Sequence, residues 1–201
     1  MDNFLSNSHY QQYGGRDINY RHFICKDCSQ KKKEYEPGQE TDELPKNILN
    51  IGYINVLSNN KPIKVTTPLM VVPFGFDKNT NQMYLQFTNV KTDPEMEGFF
   101  EFIQKLEFNQ MQYLGLSEED SDLYLSQIKF PKNEKYDPNL VVKIPFRSNR
   151  YDVDIRTRDK DCSIANIYKF SKVRCDIYID HIWKFNGRFV CKWKVNRVLI
   201  E

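Results

Sequence analysis

VRCDIYIDHIWKF (173–185), Asn186-Gly187 and RFVCKWKVNRVLIE (188–201) form the stretch on which the fold reading turns. Two runs rich in Ile, Val, Tyr, Trp and Phe flank an Asn-Gly pair, the strongest short-range signal for a two-residue hairpin turn with both residues at positive φ. The reading is a long antiparallel hairpin. A two-residue turn places Phe185 opposite Arg188, Trp183 opposite Val190, His181 opposite Lys192 and Ile179 opposite Lys194, because side chains alternate between strand faces. The other face then carries Tyr178, Ile182, Cys191, Trp193 and Val195, with Asp180 and Lys184 among them. Neither face is wholly apolar. Rings interleaved with Lys and Arg on a sheet are what single-stranded nucleic-acid platforms use, since rings stack on bases and cations track phosphates. The alternative is an edge hairpin with a half-solvated face, where Lys guards against edge-to-edge pairing.

Working back along the chain, residues 1–47 hold much Asn, Gln, Tyr, Lys and Glu with no sustained period, which reads as a flexible or extended arm. Within it, His22, Cys25 and Cys28 make half of a zinc ligand set. A closed tetrahedral site needs four ligands and no second CxxC exists, so no bound metal is expected. Folded structure is expected from Ile48. ILNIGYINVL (48–57) and TPLMVVPFGF (67–76) read as strands joined by a polar SNNKP turn, and MYLQFTNV (83–90) alternates as a third. Thr92-Asp93-Pro94-Glu95 then offers a cap, a first-position Pro and an acid in the first turn. Met96, Phe99, Ile103, Leu106 and Tyr113 follow at helical spacing, with Gln110 as the break, and Gly115 can end the helix. YLSQIKF and LVVKIPF read as further strands. The segment 147–172 reads as a long loop with short strands, carrying Arg147, Arg150, Tyr151, Arg156, Arg158 and Lys160.

The chain's 201 residues suffice for one substantial core with appendages, and its 14% aromatic content argues against wholesale disorder. The formal charge of +2 is unevenly spread: residues from Lys143 onward carry +7 and the rest −5. Nine acids and one base lie between Thr92 and Ser126, an acidic back that phosphate should avoid. No apolar run approaches the roughly 18 residues of a membrane span, and no signal peptide opens the chain, so no membrane association is expected and the five cysteines are expected to be reduced thiols.

Catalytic constellations are missing from the sequence. It holds no GxxxxGK, GxGxxG, HExxH or GxSxG, and three histidines leave little for a His-based mechanism. Asp152 and Asp154 would share a strand face, but Arg150, Arg156 and Arg158 beside them more simply neutralise them than leave a metal site. The expectation is a binding protein, not an enzyme, with no cofactor.

Three strands, a helix, more strands and a closing hairpin fit a mainly β fold with one or two helices. The expected architecture is an OB-like antiparallel barrel (residues 48–201) with an insertion at 117–170 and the N-terminal arm (1–47) outside it. Its principal strands would be 48–57, 67–76, 83–90, 173–185 and 188–200. PLMVVPFGF (68–76), the helix after a strand, and IWKFNGRFVCKWKVNRVLI resemble the OB-fold single-stranded DNA-binding proteins of large nucleocytoplasmic DNA viruses. Those share a P-x-x-x-x-P-F-G strand and a Trp-containing final hairpin, and are themselves similar to phage proteins that coat single strands. The resemblance covers about residues 48–201 and carries Pro73, Phe74, Gly75, Trp183, Gly187 and Trp193, of which it implies nucleic-acid contact for the two Trp residues. Where the phage proteins end in an acidic tail this chain has VNRVLIE, and the tight Asn-Gly turn gives no long 4–5 loop.

The expected function is sequence-independent coating of single-stranded DNA in viral replication or repair. The alternative is a virion structural protein (minor capsid or scaffold) whose arm contacts neighbours. The candidate contacts are Trp183, Arg188, Lys192 and Lys194 on the hairpin and Arg150, Tyr151, Arg156 and Arg158 in the loop. Expected partners are single-stranded nucleic acid, DNA before RNA, other copies of the chain, and replication or virion proteins. The expected location is a viral factory in the host cytoplasm, or the virion.

Overall fold

The computed structural model describes residues 18–24, 33–34, 51–133, 135–158, 160–179, 181–185 and 187–201. In chain order the strands are β1 (Ile18–Ile24), β2 (Lys33–Glu34), β3 (Ile51–Ser58), β4 (Lys61–Thr66), β5 (Met70–Val72), β6 (Phe76–Asp77), β7 (Gln82–Gln86), β8 (Ile128–Lys129), β9 (Asn139–Lys143), β10 (Phe146–Arg147), β11 (Arg150–Tyr151), β12 (Asp154–Arg156), β13 (Ser171–Ile179), β14 (His181–Phe185), β15 (Arg188–Val190) and β16 (Trp193–Ile200). A 20-residue helix, α1 (Pro94–Tyr113), lies between β7 and β8.

Five strands close on themselves. β5 pairs with β7, β7 with β9, β9 with β16, β16 with β13 and β13 with β5, antiparallel throughout except at β9 and β16, which run parallel. This is a mainly β, OB-like barrel. Its interior is filled by alternate residues of each strand, among them Met83, Leu85, Leu140, Val142, Ile177 and Val195, all with 0% exposure. Closure satisfies the backbone groups that an open edge would leave.

Strand identity differs from the sequence reading by one place. β3, expected as the first barrel strand, lies outside the ring and pairs with β4, β14 and β1, the last drawn from within residues 1–47. The first barrel strand is instead β4 and β5 together, both running along β13 with a kink at Thr67-Pro68. Pro68 has no N–H to give, and Thr67 bridges the break: its N–H donates to the Cys175 carbonyl at 2.8 Å and its Oγ1 accepts from the Cys175 N–H at 3.0 Å. The third barrel strand is β9, inside the segment read as an insertion. Its partner β16 is parallel and some fifty residues on, so no local turn announces the pairing. The helix consequently falls between the second and third barrel strands, not the third and fourth.

The helix itself is as expected. The Asp93 side chain accepts from the N–H groups of Glu95 (2.9 Å) and Met96 (3.3 Å), Pro94 occupies the first turn, and Gly115 at φ 68° follows the last turn. The Leu116 N–H reaches back to the Met111 carbonyl and closes the end. Met96, Phe99, Phe102, Ile103 and Leu106 are buried against the barrel. Gln110, the break in the apolar stripe, is buried too, because its Oε1 accepts from the Tyr124 hydroxyl at 2.5 Å.

The closing hairpin forms only in part. Trp183 opposes Val190 and Phe185 opposes Arg188, as a two-residue turn requires, and Gly187 has φ 79°. Asn186 lies outside the described residues, as do Cys25 and Cys28; His22 falls in β1. Below the turn the register slips: Tyr178, not Ile179, opposes Lys194. Buried apolar positions are odd in β13 (173, 175, 177, 179) and even in β14 (182), Asp176 being the one buried even position of β13. Tyr178 is thereby turned out of the core, onto the face that carries Lys194.

Candidate nucleic-acid interface

β14 leaves the barrel to pair with β3, and the β10–β11 hairpin stands off the end of β9. Between them lies a cleft of ≈ 220 Å³ lined by Lys143, Pro145, Phe146, Arg147, His181, Trp183, Lys192 and Lys194. Among the described residues, four cations and three rings line it and no carboxylate does.

Each side chain has a reason to be there. Lys143 and Lys194 are a cross-strand pair at the parallel β9–β16 junction. Lys192 sits where β15 passes into β16, with its Nζ 5.6 Å from the centre of the Trp183 ring, and Lys194 Nζ lies 5.9 Å from the Tyr178 ring. Tyr178 also opposes Lys64 of β4, which continues the alternation of ring and cation across the sheet. His181 meets Trp183 edge-to-face at 6.0 Å and Tyr53 at 5.2 Å, so the Trp183 ring is held in a row of rings. Burial, then the charge of Lys143, holds the Lys192 ammonium below its ordinary pKa. Crowded, partly buried cations favour an anion, which would remove the repulsion.

Of the residues expected from sequence, Trp183, Lys192 and Lys194 line this cleft. Arg150 opposes Arg147 on the β10–β11 hairpin, and Tyr151 packs beneath Phe146 (4.9 Å) and on Phe76 (5.2 Å), supporting the rim. Arg188 is exposed beside the hairpin turn. Arg156 and Arg158 are not brought to the cleft. Arg156 pairs with Asp154 (2.8 Å) and Asp161 (3.5 Å), on a strand beside the far end of β16. Arg158 lines a separate groove with Leu199, Ile200 and Glu201, some 16 Å along β16 from Lys194 at about 3.3 Å per residue.

Trp193, to which the resemblance gives a contact, is 2% exposed and packs 6.4 Å from Phe102 of the helix. It belongs to the core. Lys143, Phe146, Arg147 and His181 were not among the expected contacts. His181 was legible as the neighbour of Lys192 on one hairpin face; Lys143 and Phe146 depend on the β9–β16 pairing, which no sequence signal marks.

No family model and no curated protein matches this chain in sequence. Solved structures similar to it include gp2.5, a single-stranded DNA-binding protein encoded by bacteriophage T7, with TM-score 0.46 and 13% identity over 69% of this chain and 86% of that one. The single-stranded DNA-binding protein of bacteriophage Enc34 is similar too. Its C-terminal truncation has TM-score 0.44 and 15% identity (73% and 88% covered), and its complex with ssDNA has TM-score 0.44 and 16% identity (73% and 89%).

Proposed function

We propose that this protein binds single-stranded nucleic acid, DNA in preference to RNA, without sequence specificity. The carrying observation is that Trp183, His181 and Phe146 share one cleft with Lys143, Arg147, Lys192 and Lys194. Rings take unpaired bases by stacking, and every base has a π-face; the cations neutralise phosphate. Among the described lining residues there is no Asn, Gln, Asp or Glu to read a base edge, and cations facing phosphate carry no sequence information. The recess also suits a strand whose bases are free to turn in. The biological role we propose is coating of single strands during viral DNA replication or repair, in the host cytoplasm, as expected of the OB-fold proteins of large nucleocytoplasmic DNA viruses.

Anisotropy titration of a labelled poly-dT oligonucleotide at several salt concentrations tests this. The expected result is saturable binding that weakens steeply with salt, a comparable affinity for mixed-sequence single strands, and weak binding to duplex of the same length. Absence of saturable binding at low salt would overturn the reading.

A further inference from the structure

We infer that a single strand held in the Trp183 cleft continues over β7 to a second aromatic station formed by Phe74, Tyr168 and Phe170, so that one chain engages several consecutive nucleotides. This rests on the reading of the cleft as a nucleic-acid site. Three observations carry it.

The first is continuity. Lys192 lines both the cleft and an adjoining shallow groove of ≈ 210 Å³, whose other lining includes Tyr84, Gln82, Val141 and Lys129. The Tyr84 ring meets the Phe74 ring edge-to-face at 5.6 Å. A path therefore leads from the Trp183 ring past Lys192 to the Tyr84 and Phe74 rings.

The second is exposure. Phe74, Tyr168 and Phe170 are 67%, 64% and 65% exposed and belong to two backbone segments that meet where Gly75 lies against residues 167–169, and Lys169 Nζ lies 4.9 Å from the Phe170 ring centre. Exposed rings on adjoining backbone segments present faces on which bases can stack.

The third is that the backbone holds them there. Gly75 has φ 74° and sits so close to the 167–169 backbone that a Cβ would lie 3.3 Å from the Lys169 nitrogen. The Phe170 N–H donates to the Val72 carbonyl at 2.7 Å, and Phe170 itself has φ 67°, a conformation that a bulky residue adopts only when its surroundings impose it. The backbone that carries the rings is preorganised, which lowers the entropy lost on binding.

Spacing sets the length. Gln82 opposes Lys143 of the cleft, and Tyr84 lies two residues on, about 7 Å along the strand. Phe74 is a further ring contact beyond, a gap that takes more than one nucleotide at about 3.4 Å per stacked base.

Poly-dT oligonucleotides of about 2 to 16 nucleotides, the range of OB-fold site sizes, distinguish the stations. Affinity of the full chain should rise with length until both are spanned. Phe74→Ala with Tyr168→Ala changes two exposed side chains, and a melting curve checks the fold. That variant should match the wild type on the shortest oligonucleotides that bind and lose roughly tenfold or more on long ones, tenfold being the loss of stacking on one of its two rings. Trp183→Ala should lose affinity at every length. The inference is overturned if the double variant equals wild type on long strands, if it weakens short and long strands alike, or if it alters self-association by gel filtration and not binding. Failure of the wild type to bind any oligonucleotide would remove the cleft reading itself, and this one with it.

Discussion

Trp183 and Lys143 make opposite predictions although they line the same cleft. A ring contributes by stacking, so Trp183→Ala should weaken single-strand binding by about 1–3 kcal/mol while leaving the salt dependence unchanged. Lys143→Ala should reduce the slope of log K against log salt by about 0.7, the value for one phosphate contact on a single strand. Binding titrations across a salt series separate the two, and a Lys143→Ala slope equal to wild type would remove Lys143 from the interface. Lys192 adds a pH dependence. Its pKa in the free protein is lowered by burial and by Lys143; a bound phosphate stabilises the charged form and raises it again. Binding therefore takes up a proton in the alkaline range between the two values, and affinity should fall as pH rises through it. Lys192→Arg, charged throughout, should flatten that fall. An unchanged alkaline limb in this variant would assign the titration to another group.

At the level of elements, the N-cap of α1 and the Thr67 bridge decide whether helix and barrel hold. Asp93→Ala removes the acceptor for the Glu95 and Met96 N–H groups and should lower stability by about 0.5–2 kcal/mol. Thr67→Val keeps the shape but takes away the hydroxyl that the buried Cys175 N–H donates to, and should lower stability by about 1–3 kcal/mol. Denaturant unfolding of both variants measures this, with wild-type midpoints counting against the roles given. The two sites differ in legibility. Asp93 stands in a local pattern of cap, Pro and acids, which is readable because a helix N-terminus is satisfied within four residues. The bond from Thr67 spans 108 residues, and nothing near Pro68 in the sequence says that its strand turns a corner there.

For the whole molecule, the closed ring of β5, β7, β9, β16 and β13 lies inside residues 48–201, and this is the basis for proposing that the fragment folds without the arm. A 48–201 fragment should unfold cooperatively and bind poly-dT, with some loss of stability because β3 gives up its pairing with β1. A fragment that melts without a transition would place the arm within the folding unit. The sequence by itself determined the mainly β class, the helix with both of its ends, the strand register on either side of the hairpin turn, and the pairing of rings with cations on one hairpin face. All of these depend on contacts between residues close in the chain. The tertiary structure alone decided that β9 closes the barrel, that β3 lies outside it, that Trp193 is core, and that Lys143, Phe146 and Arg147 join Trp183 in one cleft. Parallel and long-range pairings leave no local turn to read, and a one-residue slip between Ile179 and Ile182 exchanges the two faces of a strand.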